Sequence, residues 1–179
     1  MYQKINKYRD IQIIPNSLII FDIDETILYF QGINKTWWKN NFDYYYNKYQ
    51  NYDKAENYAL QDWLNHVNKN DPKLIDKKDL LNFFEQAHKL DCEIIFITAR
   101  NHKLKNITEM HFLNLDISRY IHKIYYNRKK GKLLKELLET KYTNYNNIIF
   151  IDDLKSNLDQ VLYEIVNKNL YLYLFEVDL

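Results

Sequence analysis

Ser17-Leu-Ile-Ile-Phe-Asp22-Ile-Asp24-Glu-Thr26 is a short branched apolar run that stops abruptly at a cluster of acids. Residues Ser17 to Ile23 read as a strand buried on both faces, because such strands are near-continuous apolar runs rather than alternating ones. Along an extended chain, Asp22 and Asp24 project to the same side. The carboxyl edge of a parallel sheet is where ligands bind. Two carboxylates placed there repel each other unless a cation or a shared proton relieves them. A hard divalent ion such as Mg²⁺ is a natural solution, and it suits chemistry in which one carboxylate attacks phosphorus while the other protonates the leaving oxygen.

Working outward, similar apolar runs at Glu93 to Thr98, Asn147 to Ile151 and Leu170 to Val177 read as further buried strands, with Ile121 to Tyr126 as a fainter one. Between them, Lys78 to Leu90, Lys130 to Thr140 and Lys155 to Asn167 carry apolar residues at three-and-four spacing, the pattern of helices with one buried face. Strand alternating with helix predicts an α/β fold: a three-layer sandwich with a central parallel sheet. Residues 31–69 break the alternation and are too long for an ordinary loop. Their Trp- and Tyr-rich pattern suggests two amphipathic helices, forming either a small cap or an aromatic layer packed on the sheet. The expected organisation is a core of residues 1–30 and 70–179 with a helical insertion at 31–69.

Three more stretches carry chemistry. Ile95 to Arg100 (IFITAR) ends a strand at Thr98, whose hydroxyl and N–H suit a phosphate oxygen. Arg100 follows it, either to contact substrate or to make a structural ion pair. Lys129 to Leu137 (KKGKLLKEL) puts lysines at a helix start, where positive charge neutralises phosphate and a nucleophilic carboxylate. Ile149 to Asn157 (IFIDDLKSN) ends another strand in paired acids, Asp152 and Asp153, which calls for a nearby cation.

In this order, Asp22-x-Asp24-x-Thr26, Thr98, Lys130 and Asp152-Asp153 resemble the four motifs of the haloacid dehalogenase (HAD) superfamily, over nearly the whole chain after Ser17. The resemblance implies a HAD-like, Rossmannoid core with a C1-type cap at 31–69, and a Mg²⁺-dependent phosphoric monoester hydrolase working through an aspartyl-phosphate. It makes Asp22 the nucleophile and Asp24 the general acid and base. Thr98 and Lys130 bind and neutralise the phosphoryl group, with Arg100 a further candidate for substrate. Asp22, Asp24, Asp152 and Asp153 form the expected metal set, Asp153 foremost. Lys129 and Lys132 compete with Lys130, which is preferred because KGxxLK resembles the family's helix entry. Asn157 stands where many members have another acid, so its expected part is a hydrogen bond to a ligand or a contact through water.

Composition bounds the rest. With 179 residues, 46% hydrophobic and 27% charged, the chain is long enough to bury roughly 70% of its unfolded surface. A net charge of +1 gives no strong nucleic-acid signal. No window is apolar enough to span a bilayer, no signal peptide is evident, and the single Cys92 forms no internal disulfide, so a soluble cytoplasmic protein is expected. The expected partner is a small phosphorylated metabolite or nucleotide, with Trp37, Trp38, Tyr44 to Tyr46 and Trp63 offering surface for a base to stack on. Two other readings compete: a protein or nucleic-acid-end phosphatase of the same superfamily, and a catalytically silent HAD-fold binding module.

Overall fold

The computed structural model describes residues 2–177. The apolar run beginning at Ser17 becomes strand β2 (Leu18–Phe21), and all four of its residues are buried. Leu18 and Ile20 point into one core while Ile19 and Phe21 point into another, so both faces of the strand are covered. That is why the sequence shows no alternation here.

Around it assemble β1 (Gln3–Ile5), β5 (Glu93–Thr98), β6 (Lys123–Tyr126), β7 (Asn147–Asp152) and β8 (Asn169–Phe175). They form a six-stranded sheet in the order β1-β8-β7-β2-β5-β6, with every pairing parallel. Helices α3 (Lys77–Lys89) and α4 (Lys105–Asn114) supply Phe83, Phe84 and Phe112 to one core. Helices α5 (Lys130–Thr140) and α6 (Lys155–Glu164) supply Leu134, Leu138, Leu158 and Val161 to the other. The three-layer α/β sandwich with a central parallel sheet is the observed architecture.

Register positions the site. Phe21 pairs with Ile151 of β7, so the next residues, Asp22 and Asp152, emerge side by side at the carboxyl edge. The Asp22 N–H donates to the Ile151 carbonyl at 2.9 Å and extends the ladder by one bond. The chain then leaves the sheet, with Glu25 in the left-handed region at φ 59°. This turn is why β2 stops at Phe21 rather than at Ile23.

The insertion leaves and re-enters the core through a two-stranded antiparallel ribbon, β3 (Leu28–Tyr29) against β4 (Lys73–Leu74). Between them run α1 (Lys35–Tyr49) and α2 (Tyr52–Lys69). Asn34 and Asn51 cap the two helices by accepting the Trp37 and Lys54 N–H groups, and Gln50 turns the chain between them at φ 48°. Tyr45 and Tyr49 of α1 stack on Tyr58 of α2, and Asp62 accepts from the Tyr45 hydroxyl at 2.7 Å. These rings therefore join the two helices to each other rather than forming a layer on the sheet. Phe30, Val67 and Leu104, with Trp63 and Ile107, pack the far part of α2 onto the core beside α4.

β1 and α4, like the β3–β4 ribbon, lie outside the sequence expectations. β1 is three residues long and buries only Ile5, too little for a pattern. In α4 the buried positions are Thr108, His111 and Phe112, so polar residues interrupt the apolar stripe. The last helix ends at Glu164 rather than Asn167 and the last strand at Phe175 rather than Val177. Cys92 is buried and free. Among the described residues no helix is long and apolar enough to cross a membrane.

Gly131 sits where α5 meets α6. A β-carbon there lies 2.4 Å from the Gln160 carbonyl oxygen, a backbone atom that cannot swing aside. Gly131→Ala is expected to force the helices apart at a cost of about 1–3 kcal/mol. Thermal denaturation followed by circular dichroism checks this, and an unchanged Tm contradicts the packing described.

Candidate active site

Three strand ends and one helix start converge at the carboxyl edge of the sheet. Asp22 follows β2, Thr98 ends β5, Asp152 ends β7, Asp153 follows it, and Lys130 opens α5; all five are buried. The Lys130 ammonium lies between two carboxylates, donating to Asp22 Oδ1 and, at 2.6 Å, to Asp152 Oδ2. Lys129 and Lys132 are exposed. The Asp152 carboxylate is otherwise fixed from below, accepting the Leu154 N–H at 2.9 Å and the Asn157 amide at 2.9 and 3.1 Å. Asn157 thus holds an acid in place by hydrogen bonding.

Asp22, Asp152 and Asp153 each turn a carboxylate oxygen to within 4.8 Å of the others. Burial pushes the Asp22 carboxyl well above the usual carboxylate range; Lys130 opposes this, while Asp152, Asp153 and Asp24 add to it. Asp153 is lifted to about 6, first by burial and then by Asp152, with Lys35 opposing. Glu25 is lifted to about 7, again by burial first, with Asp153 adding. Burial also works against the charge on Lys130, but Asp22 and Asp152 outweigh it and raise its pKa. The cluster is short of positive charge, and its donors are all hard oxygens, which is the ligand chemistry of Mg²⁺ rather than of softer metals. The buried triad is able to hold such an ion.

The Asp24 carboxylate is not part of the buried triad. It is gripped by Arg100, with Nε to Oδ2 at 2.8 Å and Nη2 to Oδ1 at 2.7 Å. The cause is the buried guanidinium, which must find charge and hydrogen-bond partners; Thr108 takes another of its donors at 2.9 Å. Of the two readings of Arg100, the ion pair is present in the structure, and the residue also lines the cleft. Arg100 also stacks against Phe30 and against Trp63 of the insertion, each ring centre 5.9 Å away. Thr98 accepts the Arg100 N–H at 3.1 Å, which leaves its own hydroxyl proton to donate.

Above this floor lies a cleft of about 460 Å³, within the roughly 300–1,000 Å³ of small-molecule sites. Asp22, Asp24, Thr98, Lys130 and Asp153 line it below; Tyr29, Phe30, Trp37, Trp38, Leu60 and Trp63 line it above. Of the aromatic residues expected to offer a stacking surface, the three tryptophans line the cleft. Tyr44 and Tyr46 are instead exposed outside it, and Tyr45 packs within the helix pair.

Lys35, the first residue of α1, was not anticipated. Its ammonium lies 2.8 Å from Asp153 Oδ2 and 3.1 Å from the Asp153 carbonyl oxygen. Nothing in the sequence distinguishes it from Lys39, Lys48 and Lys54 until the ribbon brings the start of α1 back over β7. At another side of the cleft, Arg128 of the core meets Glu56 of α2 at 3.3 Å.

Solved structures share this architecture. A hydrolase from Streptococcus pneumoniae TIGR4 aligns at a TM-score of 0.55 and 13% identity, over 91% of this chain and 94% of its own. A HAD-superfamily hydrolase from Ehrlichia chaffeensis gives 0.54 and 12%, over 90% and 92%. A family IA variant 3 HAD hydrolase from Entamoeba histolytica HM-1:IMSS gives 0.56 and 14%, over 83% and 80%. The fold is that of the HAD superfamily. No curated protein matches the sequence. A family model described as "Protein of unknown function (DUF2608)" matches residues 2–122 and 124–177, and the chain belongs to that family.

The charge shortage predicts how proton and metal binding interact. Carboxyls raised in the folded state bind more protons there than in the unfolded chain, so they lose stability as pH rises through their folded values, about 6 for Asp153 and about 7 for Glu25. His111, buried and lowered by that burial and by Arg100, acts in the opposite sense. A divalent ion replaces the missing protons, so its stabilising effect is expected to be larger at pH 8 than at pH 5.5. With Mg²⁺ at 100 times its Kd the gain approaches about 2.7 kcal/mol. Thermal shifts with and without Mg²⁺ at the two pH values check this; a larger Mg²⁺ increment at pH 5.5 contradicts it.

Proposed function

We propose that this protein is a Mg²⁺-dependent phosphomonoesterase that cleaves a small phosphorylated substrate through an aspartyl-phosphate on Asp22. One observation carries the reading: a buried aspartate in contact with a buried lysine, beside Thr98 and an acidic triad, at the floor of an apolar cleft. The neighbours named above add support at the level of fold alone.

In the first step an oxygen of Asp22 attacks phosphorus, the bond from phosphorus to the leaving oxygen breaks, and that oxygen takes a proton from Asp24. In the second, water attacks the acyl phosphate, Asp24 takes its proton, and the bond to Asp22 breaks. Held on both oxygens by Arg100, Asp24 is oriented as an acceptor, which suits the second step as drawn; the first requires that grip to loosen. Lys130 and Thr98 offset the charge on the phosphoryl oxygens throughout. Asp22, Asp152 and Asp153 would hold a divalent ion, which would supply further positive charge for phosphoryl transfer.

The roof narrows the substrate. Tryptophans 37, 38 and 63 present apolar planar surface a short reach from the nucleophile, where stacking of a base contributes on the order of 1–3 kcal/mol. An insertion emerging beside the nucleophile can also close over the site, which disfavours large folded phosphoproteins. Nucleoside monophosphates are the leading candidates.

A substrate panel with and without Mg²⁺ tests the reading: nucleoside monophosphates, sugar phosphates, phosphopeptides and 3′-phosphorylated oligonucleotides. Small monoesters are expected to lead in kcat/KM by tenfold or more, a margin of about 1.4 kcal/mol. Phosphopeptides or oligonucleotide ends leading by that margin shift the function to the competing phosphatase reading. No turnover of any of them, with Mg²⁺ bound, leaves the silent binding module.

A further inference from the structure

The acids at the sheet edge are neutralised by two lysines of different origin. Lys130 belongs to the core, is buried, and is occupied by Asp22 and Asp152. Asp153 is paired instead with Lys35, whose side chain is half exposed and belongs to the insertion. An ammonium group has three donors and no acceptor, so it cannot bridge to a metal ion. A cation that takes the Asp153 carboxylate competes with Lys35 for the same oxygens and repels it.

We infer that Lys35 occupies the Asp153 end of the acidic triad in place of a divalent ion, and that metal binding displaces it, releasing the start of α1 from the core. The inference rests on the Mg²⁺ reading above. The rest of the insertion stays attached, because its other ties avoid the triad: Glu56 pairs with Arg128, and Phe30, Val67 and Leu104 pack together beneath Trp63. The movement is therefore confined to the first turns of α1, around the fixed α2. Trp37 and Trp38 lie two and three residues beyond Lys35 and line the cleft, so metal occupancy is linked to the shape of the substrate's apolar wall. Lys35 acts here as a positioning residue, working through Asp153 and α1.

Linkage makes the effect reciprocal: whatever factor the Lys35 contact costs the metal, the metal costs the contact. Lys35→Met keeps the stem and removes the charge. Isothermal calorimetry with MgCl₂ alone is expected to show Mg²⁺ binding to Lys35→Met about fivefold or more tighter than to the wild type, within the usual range of site coupling. Lys35→Arg restores the wild-type affinity. Tryptophan emission of the wild type is expected to change on Mg²⁺ addition, and that of Asp153→Asn to stay flat. A merely structural role for Lys35 leaves affinity unchanged or weakens it. Wild-type binding with equal or weaker affinity in Lys35→Met overturns this inference alone, whereas absence of Mg²⁺ binding by the wild type overturns the metal reading and this one together. Circular dichroism of each variant establishes that it is folded.

Discussion

Three carboxylates meet at the ends of β2 and β7, out of water, and the architecture around them supplies the charges that make this tolerable. Burying an ion costs several kcal/mol unless it is paired and hydrogen-bonded. Lys130 is the central partner, and its position depends on α5 beginning where it does, against α6. Gly131 allows that approach, since any β-carbon meets the backbone of Gln160. Asn157 and the Leu154 N–H then hold Asp152 so that Lys130 can reach both acids. A small residue in a helix contact is in this way tied to the charge balance of the site.

The second organising contact is the Arg100 pair with Asp24. It couples the loop after β2 to the end of β5, and through Phe30 and Trp63 it reaches the insertion. Together with Lys35 on Asp153 and Arg128 on Glu56, this gives core and insertion three charged points of contact around one cleft. The exposed pair of Arg128 and Glu56 contributes little to stability by itself. The pairs at Asp24 and Asp153 engage two residues assigned to the chemistry, so substrate or metal that disturbs either also disturbs how the insertion sits.

Much of this was legible from local pattern. The continuous apolar runs of β2, β5 and β7 announce strands covered on both faces, and the residue that matters stands at or just past each end: Asp22, Thr98 or Asp152. The helix start points to a lysine, the resemblance of KGxxLK to the family's helix entry singles out Lys130, and its burial between two acids follows from the sheet order. Where the readout failed, the reason was tertiary. The Asp24 carboxylate pairs with a buried arginine just past the end of β5, and spacing within FDIDET holds no trace of that. Lys35 reaches Asp153 only because the ribbon of β3 and β4 folds the insertion back across 118 residues of sequence. Tyr44 to Tyr46 of α1 suggest a surface for substrate, yet Tyr45 packs on Tyr58 of α2 and Tyr44 and Tyr46 are exposed outside the cleft, since a period of three and four does not say which neighbour a face meets. Helix α4 went unread because a buried threonine and histidine interrupt its stripe.

The central claim is that Asp22 is the atom-donating nucleophile in this charged cluster. Crystallography of the wild-type protein with Mg²⁺ and beryllium fluoride, a mimic of a phosphoryl group on a carboxylate, tests it most directly. The account predicts a fluoride complex bonded to an Asp22 carboxylate oxygen, within reach of Lys130 and Thr98. A complex attached to another side chain, or a Mg²⁺-loaded site in which Asp22 remains unmodified, would contradict it.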